Sequence, residues 1–106
     1  MAHVQMMRNL LHLHAHYAGN KFACMYYLYI LRCADDTLYT GITTDLTRRV
    51  EEHNYSPRGA KYTHARRPVE LVYRKKFRSR VTAAKAEYKL KQVSREEKLR
   101  LIESQK

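Results

Sequence analysis

LYILRCADDTLYTGITTDLTRRVEEHN, running from Leu28 to Asn54, decides how this chain folds. With Tyr26 and Tyr27 in front of it, the stretch opens as YYLYILRC, a run rich in aromatic and branched residues. ADDT supplies turn formers, and LYTGI then resumes the strand-like composition. A β-hairpin is expected, with Tyr29 and Tyr39 on facing strands and able to approach each other. Gly41 permits close approach to the backbone beside Tyr39, or marks a bulge. Thr44 is the expected cap of a helix from Asp45 to about His53, with the Asp45 carboxylate in the first turn where the helix dipole favours it.

Outward from this segment, Asn54 to Pro68 is expected to form a polar loop, since Pro57, Gly59 and Pro68 punctuate it. VELVYRKKF from Val69 to Phe77 alternates as a strand. Ser79 or Arg80 opens a helix through VTAAKAEYKLKQV, and Ser94 begins a last helix, with Glu97 three residues later completing a capping box. The order is β-β-α-β-α-α, which predicts an α+β domain built on a small three-stranded antiparallel sheet flanked by helices.

The charge distribution divides the chain. Residues 1 to 24 carry Arg8 and Lys21 and no acid, whereas all 10 acidic residues and the other 19 of the 21 basic ones follow Met25. An N-terminal extension over 1–24 and a folded domain over 25–106 are therefore expected. In the extension, NLLHLHAHYA suits a short helix, while His12, His14 and His16 share a face only in a strand, where they would suit a metal. At 106 residues and 44% apolar content, one modest core is the natural outcome.

A formal charge of +11 and a pI near 9.9 point to an anionic partner, nucleic acid first. The cations are spread over strands, loops and helices, which argues against a membrane-surface helix, and no apolar run of about eighteen residues is present to span a bilayer. Two cysteines, Cys24 and Cys33, are too few for a disulfide framework and lack zinc spacing, so a reducing, cytoplasmic setting is expected.

Three groups of residues carry chemical potential. On the first helix, Leu46 and Val50 define the buried side, and Arg49 and His53, four apart, share one edge of it. In the helix after the third strand, Ala83, Ala86, Leu90 and Val93 form an apolar stripe toward which Glu87 leans. Its carboxylate must then pair with Lys91 one turn on or with an arginine, bind a metal, or tilt outward. From Ser56 to Lys91, twelve cations, Arg58, Lys61, Arg66, Arg67 and Lys91 among them, face only Glu70 and Glu87. Such a one-sided run suits phosphate contacts with strong salt dependence and little sequence preference. Tyr55, Tyr62 and Tyr73 are each able to stack a base.

Taken together, YLYIL, YTG, DLTRRVEEHN, GAKYT, RRPVELVY, AEYKLK and SREEKLRLI resemble, in that order, the GIY-YIG nucleases, in particular their compact stand-alone bacterial branch. The likeness covers nearly everything from Met25 to Ile102. It implies a one-metal phosphodiester hydrolysis in which Tyr39 is the general base or water-orienting phenol and Tyr29 its hydrogen-bonding support. Arg49 would stabilise charge on the phosphate, His53 would position groups or transfer a proton, and Glu87 would be the lone protein ligand to Mg2+ or Mn2+. Gly41, Arg48, Arg58, Lys61, Arg66, Arg67 and Lys91 would line the nucleic acid. The family's first motif reads Tyr27-Leu28-Tyr29 here and not Gly-Ile-Tyr, and the second has Thr40 at its centre; neither change removes a catalytic side chain. The late Asn of the larger family members has no clear counterpart, with Lys91 or Lys98 as stand-ins. The leading expectation is a metal-dependent DNA endonuclease acting in repair or recombination, with RNA as another possible substrate; the alternative is a non-catalytic nucleic-acid-binding module that retains the fold.

Overall fold

Strand β1 (Tyr26–Arg32) lacks the alternation of a half-exposed strand: Leu28, Tyr29, Ile30 and Leu31 are all buried in succession. Such a run belongs in the middle of a sheet covered on both faces. In the computed structural model, which describes residues 25–106, β1 lies between β2 (Leu38–Thr43) and β3 (Glu70–Phe77), antiparallel to both. The extension over residues 1–24, its expected short helix and the His12, His14 and His16 grouping fall outside the described residues.

Four helices complete the domain: α1 (Leu46–Tyr55), the single-turn α2 (Lys61–His64), α3 (Arg80–Gln92) and α4 (Arg95–Ser104). Successive side chains of β1 point to opposite faces, so the core divides in two. On one face Tyr29, Leu31 and Cys33 pack with Leu46 and Val50 of α1 and with Val69. On the other, Leu28 and Ile30 meet Tyr73, Leu90 of α3 and Ile102 of α4. The α+β class and the β-β-α-β-α-α order expected of the longer elements are as observed.

The differences lie at the ends of α1. Asp45, not Thr44, caps it: the Asp45 carboxylate accepts from the Arg48 N–H at 3.0 Å, while the Asp45 N–H is held by the Thr43 hydroxyl at 3.1 Å. That small turn delays the helix by one residue. At the other end the helix runs on to Tyr55, past His53. Arg67 braces that end: its guanidinium donates to the carbonyls of His53 and Ser56, acceptors of the kind a helix end leaves bare, and adds a longer bond to Glu52 O, which already accepts the Ser56 N–H. The expected loop from Asn54 to Pro68 also contains α2, closed by Ala60 O accepting from the Thr63 and His64 N–H groups.

Two carboxamides pin separate parts of the chain by behaving like a strand neighbour. Asn54 donates to Val69 O at 3.0 Å and accepts from Val69 N at 2.6 Å. Gln105 does the same to Arg74, donating to its carbonyl and accepting from its N–H on the edge of β3. Asn54→Ala leaves both polar groups of the Val69 backbone without those partners. A loss of about 1–3 kcal/mol is expected, read as a lower urea midpoint at unchanged m-value.

Candidate active site

Tyr29 and Tyr39 do not face one another directly. The register pairs Tyr29 with Gly41 and Leu31 with Tyr39, so the two phenols are diagonal neighbours on one face, with ring centroids 6.5 Å apart. Gly41 is buried, and a Cβ there would stand 2.6 Å from the Tyr29 hydroxyl oxygen. The glycine leaves room for the Tyr29 ring to lie across the hairpin, and its own surface is covered by that ring.

From the layer above, α1 brings Arg49 and His53 onto this pair. His53 is fully buried, and its Nε2 lies 3.0 Å from the Tyr29 hydroxyl. The Tyr39 ring meets the imidazole edge-on, with centroids 5.1 Å apart. The other imidazole nitrogen, Nδ1, lies 2.8 Å from the hydroxyl of Thr63, which is equally buried. Burial first, then the nearby Arg49 charge, lowers the His53 pKa to about 4, so the ring is neutral at neutral pH. Burial also pushes Tyr29 up to about 12, against the pull of a hydrogen bond from Arg49; the neighbouring Tyr39 and the Glu87 charge push the same way as burial. Tyr29 therefore keeps its proton.

Arg49 is the cation of the site. It donates to Glu52 Oε1 at 2.9 Å and to Arg58 O at 3.0 Å, and its charge acts on the Tyr29 phenol. Burial works against its charge, and the bonds to Glu52 and Tyr29 more than offset that effect. Its five-donor fork retains N–H groups for an incoming oxyanion.

Glu87, on α3, pairs with Lys91 across 3.4 Å, the ion pair that helical spacing makes available. Among the described residues no three His, Cys, Asp or Glu side chains gather as a metal cage. A lone carboxylate nonetheless suits magnesium, which keeps several waters and takes one or two carboxylates plus substrate phosphate. The donor set fits an ion of that kind and does not fit a structural zinc.

The basic residues fall into distinct groups. Arg58 and Lys61 are exposed, and Arg48 is exposed with only a long 3.9 Å pairing to Glu52. Arg66 pairs with Asp35 at 3.0 Å and lies over the Tyr62 ring at 4.1 Å. Tyr62 in turn stacks on Tyr39, with centroids 5.8 Å apart, so its ring is already engaged on both counts. Arg67 is committed to the end of α1, as described above. Tyr73 is buried in the opposite core, whereas Tyr55 is exposed.

Sequence reasoning gave no role to Thr63 or Ala60 and read Gly59 only as turn punctuation, although GAKYT contains all three. They act on residues of α1 six to ten positions earlier, a contact that no local periodicity announces. Gly59 is needed because a Cβ there would come 2.6 Å from Glu52 O and 2.8 Å from His53 Cα.

The site is thus a hairpin bearing two tyrosines, clasped by a helix that lays an arginine and a histidine across them. The GIY-YIG catalytic domain family matches residues 25–100, and the chain belongs to that family. It is 53% identical over 79 residues to a UPF0213 protein of Desulfotalea psychrophila, covering 74% of this chain and 72% of that one. A UPF0213 protein of Natronomonas pharaonis is 50% identical over 80 residues, covering 76% and 93%. The solution NMR structure of an E. faecalis protein is similar with a TM-score of 0.53 and 38% identity, over 76% of this chain and 84% of that one.

The His53 environment has a pH signature. Unfolded, its pKa returns to the ordinary 6.5, and folded it is about 4, so between these values the unfolded state binds the extra proton and stability falls as pH falls. The wild-type melting temperature is expected to drop through that window more steeply than that of His53→Gln, and equal slopes would remove His53 as a cause. Gly41→Ala is expected to cost about 1–3 kcal/mol by chemical denaturation, because Tyr29 must leave its place to admit the methyl group.

Proposed function

We propose that residues 25–106 form a metal-dependent endonuclease domain that hydrolyses phosphodiester bonds in DNA, branched or damaged forms included, within the cytoplasm, and that residues 1–24 are an extension to it. The convergence of Tyr29, Tyr39, Arg49 and His53 around one half-buried corner carries this reading, since a phosphate placed there meets a fixed cation and two phenols. Family membership supports it independently.

In this reading Arg49 stabilises the charge that builds on the phosphoryl oxygens, held in line by Glu52 and Arg58 O. Tyr39, partly exposed, orients or deprotonates the attacking water. Tyr29 stays protonated and braces that water, and His53 fixes Tyr29. Glu87 would hold a magnesium or manganese ion, which supplies Lewis-acid polarisation of the phosphoryl group and support for the leaving oxygen. Arg48, Arg58, Lys61 and Lys91 contact the flanking backbone, with Arg66 nearby. Gly41 and Arg67 serve the site by shaping it.

The Glu87–Lys91 ion pair favours a second reading, a nucleic-acid-binding module whose carboxylate is structural. Labelled duplex, single-stranded, flapped and four-way-junction DNA, with an RNA arm, separate the two when incubated with magnesium, manganese or EDTA. The nuclease reading expects metal-dependent cutting that Glu87→Gln and Arg49→Ala each reduce by roughly 100-fold or more while binding persists. Salt-sensitive binding without cutting under any metal selects the module.

A further inference from the structure

We infer that Thr63 is a positioning residue of the site: it holds His53 as the Nδ1–H tautomer, so that Nε2 accepts the Tyr29 hydroxyl proton and the Tyr29 oxygen is presented as an acceptor. Its bearing on cleavage rests on the proposed nuclease activity; the tautomer does not.

The argument is an accounting of protons. The Thr63 hydroxyl has one proton and lies 2.9 Å from Ala60 O and 2.8 Å from His53 Nδ1. If it donates to Ala60 O, it accepts from Nδ1–H, Nε2 carries the lone pair, and the Tyr29 O–H 3.0 Å away donates to it. This arrangement gives Ala60 O a third donor beside the Thr63 and His64 N–H groups, and it leaves the Ala60 N–H, 3.4 Å from Nδ1 on a half-buried residue, short of a partner. The opposite tautomer asks the single Nδ1 lone pair to accept from both the Thr63 hydroxyl and the Ala60 N–H. It also turns Nε2–H toward the Tyr29 oxygen and leaves the Tyr29 O–H with no acceptor among the described residues, on a side chain only 1% exposed. An unmade bond on so buried a group is the costlier of the two.

Thr63 therefore sets a polarity two residues away in the chain of contacts. With its proton directed at His53 Nε2, the Tyr29 oxygen is left as an acceptor toward the Arg49 side of the site. Without the Thr63 oxygen, the Nδ1 lone pair turns to the Ala60 N–H, Nε2–H donates to Tyr29, and the phenol becomes a donor toward the reacting space.

Nitrogen-15 NMR of labelled protein at neutral pH distinguishes a protonated from an unprotonated ring nitrogen of His53 directly. The expected result is protonated Nδ1 in the wild type and in Thr63→Ser, and protonated Nε2 in Thr63→Val. Protonated Nε2 in the wild type, or an unchanged tautomer in folded Thr63→Val, overturns the inference. If Thr63→Val does not fold, the wild type and Thr63→Ser still decide it. In the cleavage assay Thr63→Val is expected to lose on the order of 100-fold in kcat with little change in KM, and Thr63→Ser to restore it. A wild type that never cuts defeats the nuclease proposal and leaves the tautomer result standing.

Discussion

A line of three buried polar side chains, Tyr29, His53 and Thr63, runs from the sheet through α1 to α2. It is the constraint on which the site depends. Polar groups in a dry interior must meet one another, and here each comes from a different element, so sheet, helix and loop can close in only one relative position. Two glycines make the closure possible. Gly41 clears a place for the phenol on β2, and Gly59 lets the backbone before α2 lie against α1. The segment from Gly59 to Arg67 acts as a clasp: Thr63 holds the imidazole, Tyr62 lies on Tyr39, and Arg67 closes the end of the helix that carries Arg49 and His53.

The electrostatics follow from the same burial. Desolvation keeps both His53 and Tyr29 neutral, which leaves Arg49 as the cation nearest the two rings, with Arg67 held behind His53. Glu87 lies on α3 in the opposite layer, a helix whose Leu90 and Ala86 are anchored in the second core. A guanidinium and a carboxylate are thus carried by helices packed on separate faces of one thin sheet.

The long elements were legible because each obeys a local rule. YYLYILR has the composition of a strand, Ala83 and Leu90 keep helical spacing, and Ser79 and Ser94 cap as their chemistry suggests. The convergence of Arg49 and His53 on the phenols was also foreshadowed, by their four-residue interval next to Leu46 and Val50. What escaped was non-local. Arg67 braces the end of α1 from eleven to fifteen positions away, the Asn54 carboxamide binds a backbone fifteen positions on, and Thr63 meets His53 across a loop. Thr44 and Asp45 were confused because both are good caps, and only the Thr43 side chain decided between them.

Arg67 spends its guanidinium on carbonyls of the same chain, and Arg66 shares its own between Asp35 and Tyr62. A polyanion approaching this surface would displace small ions only from side chains at liberty to meet it. The formal excess of +11 is therefore a ceiling on the counterions released. Part of what looks like an electrostatic footprint in the composition is internal scaffolding, so fewer charges face outward than the composition counts.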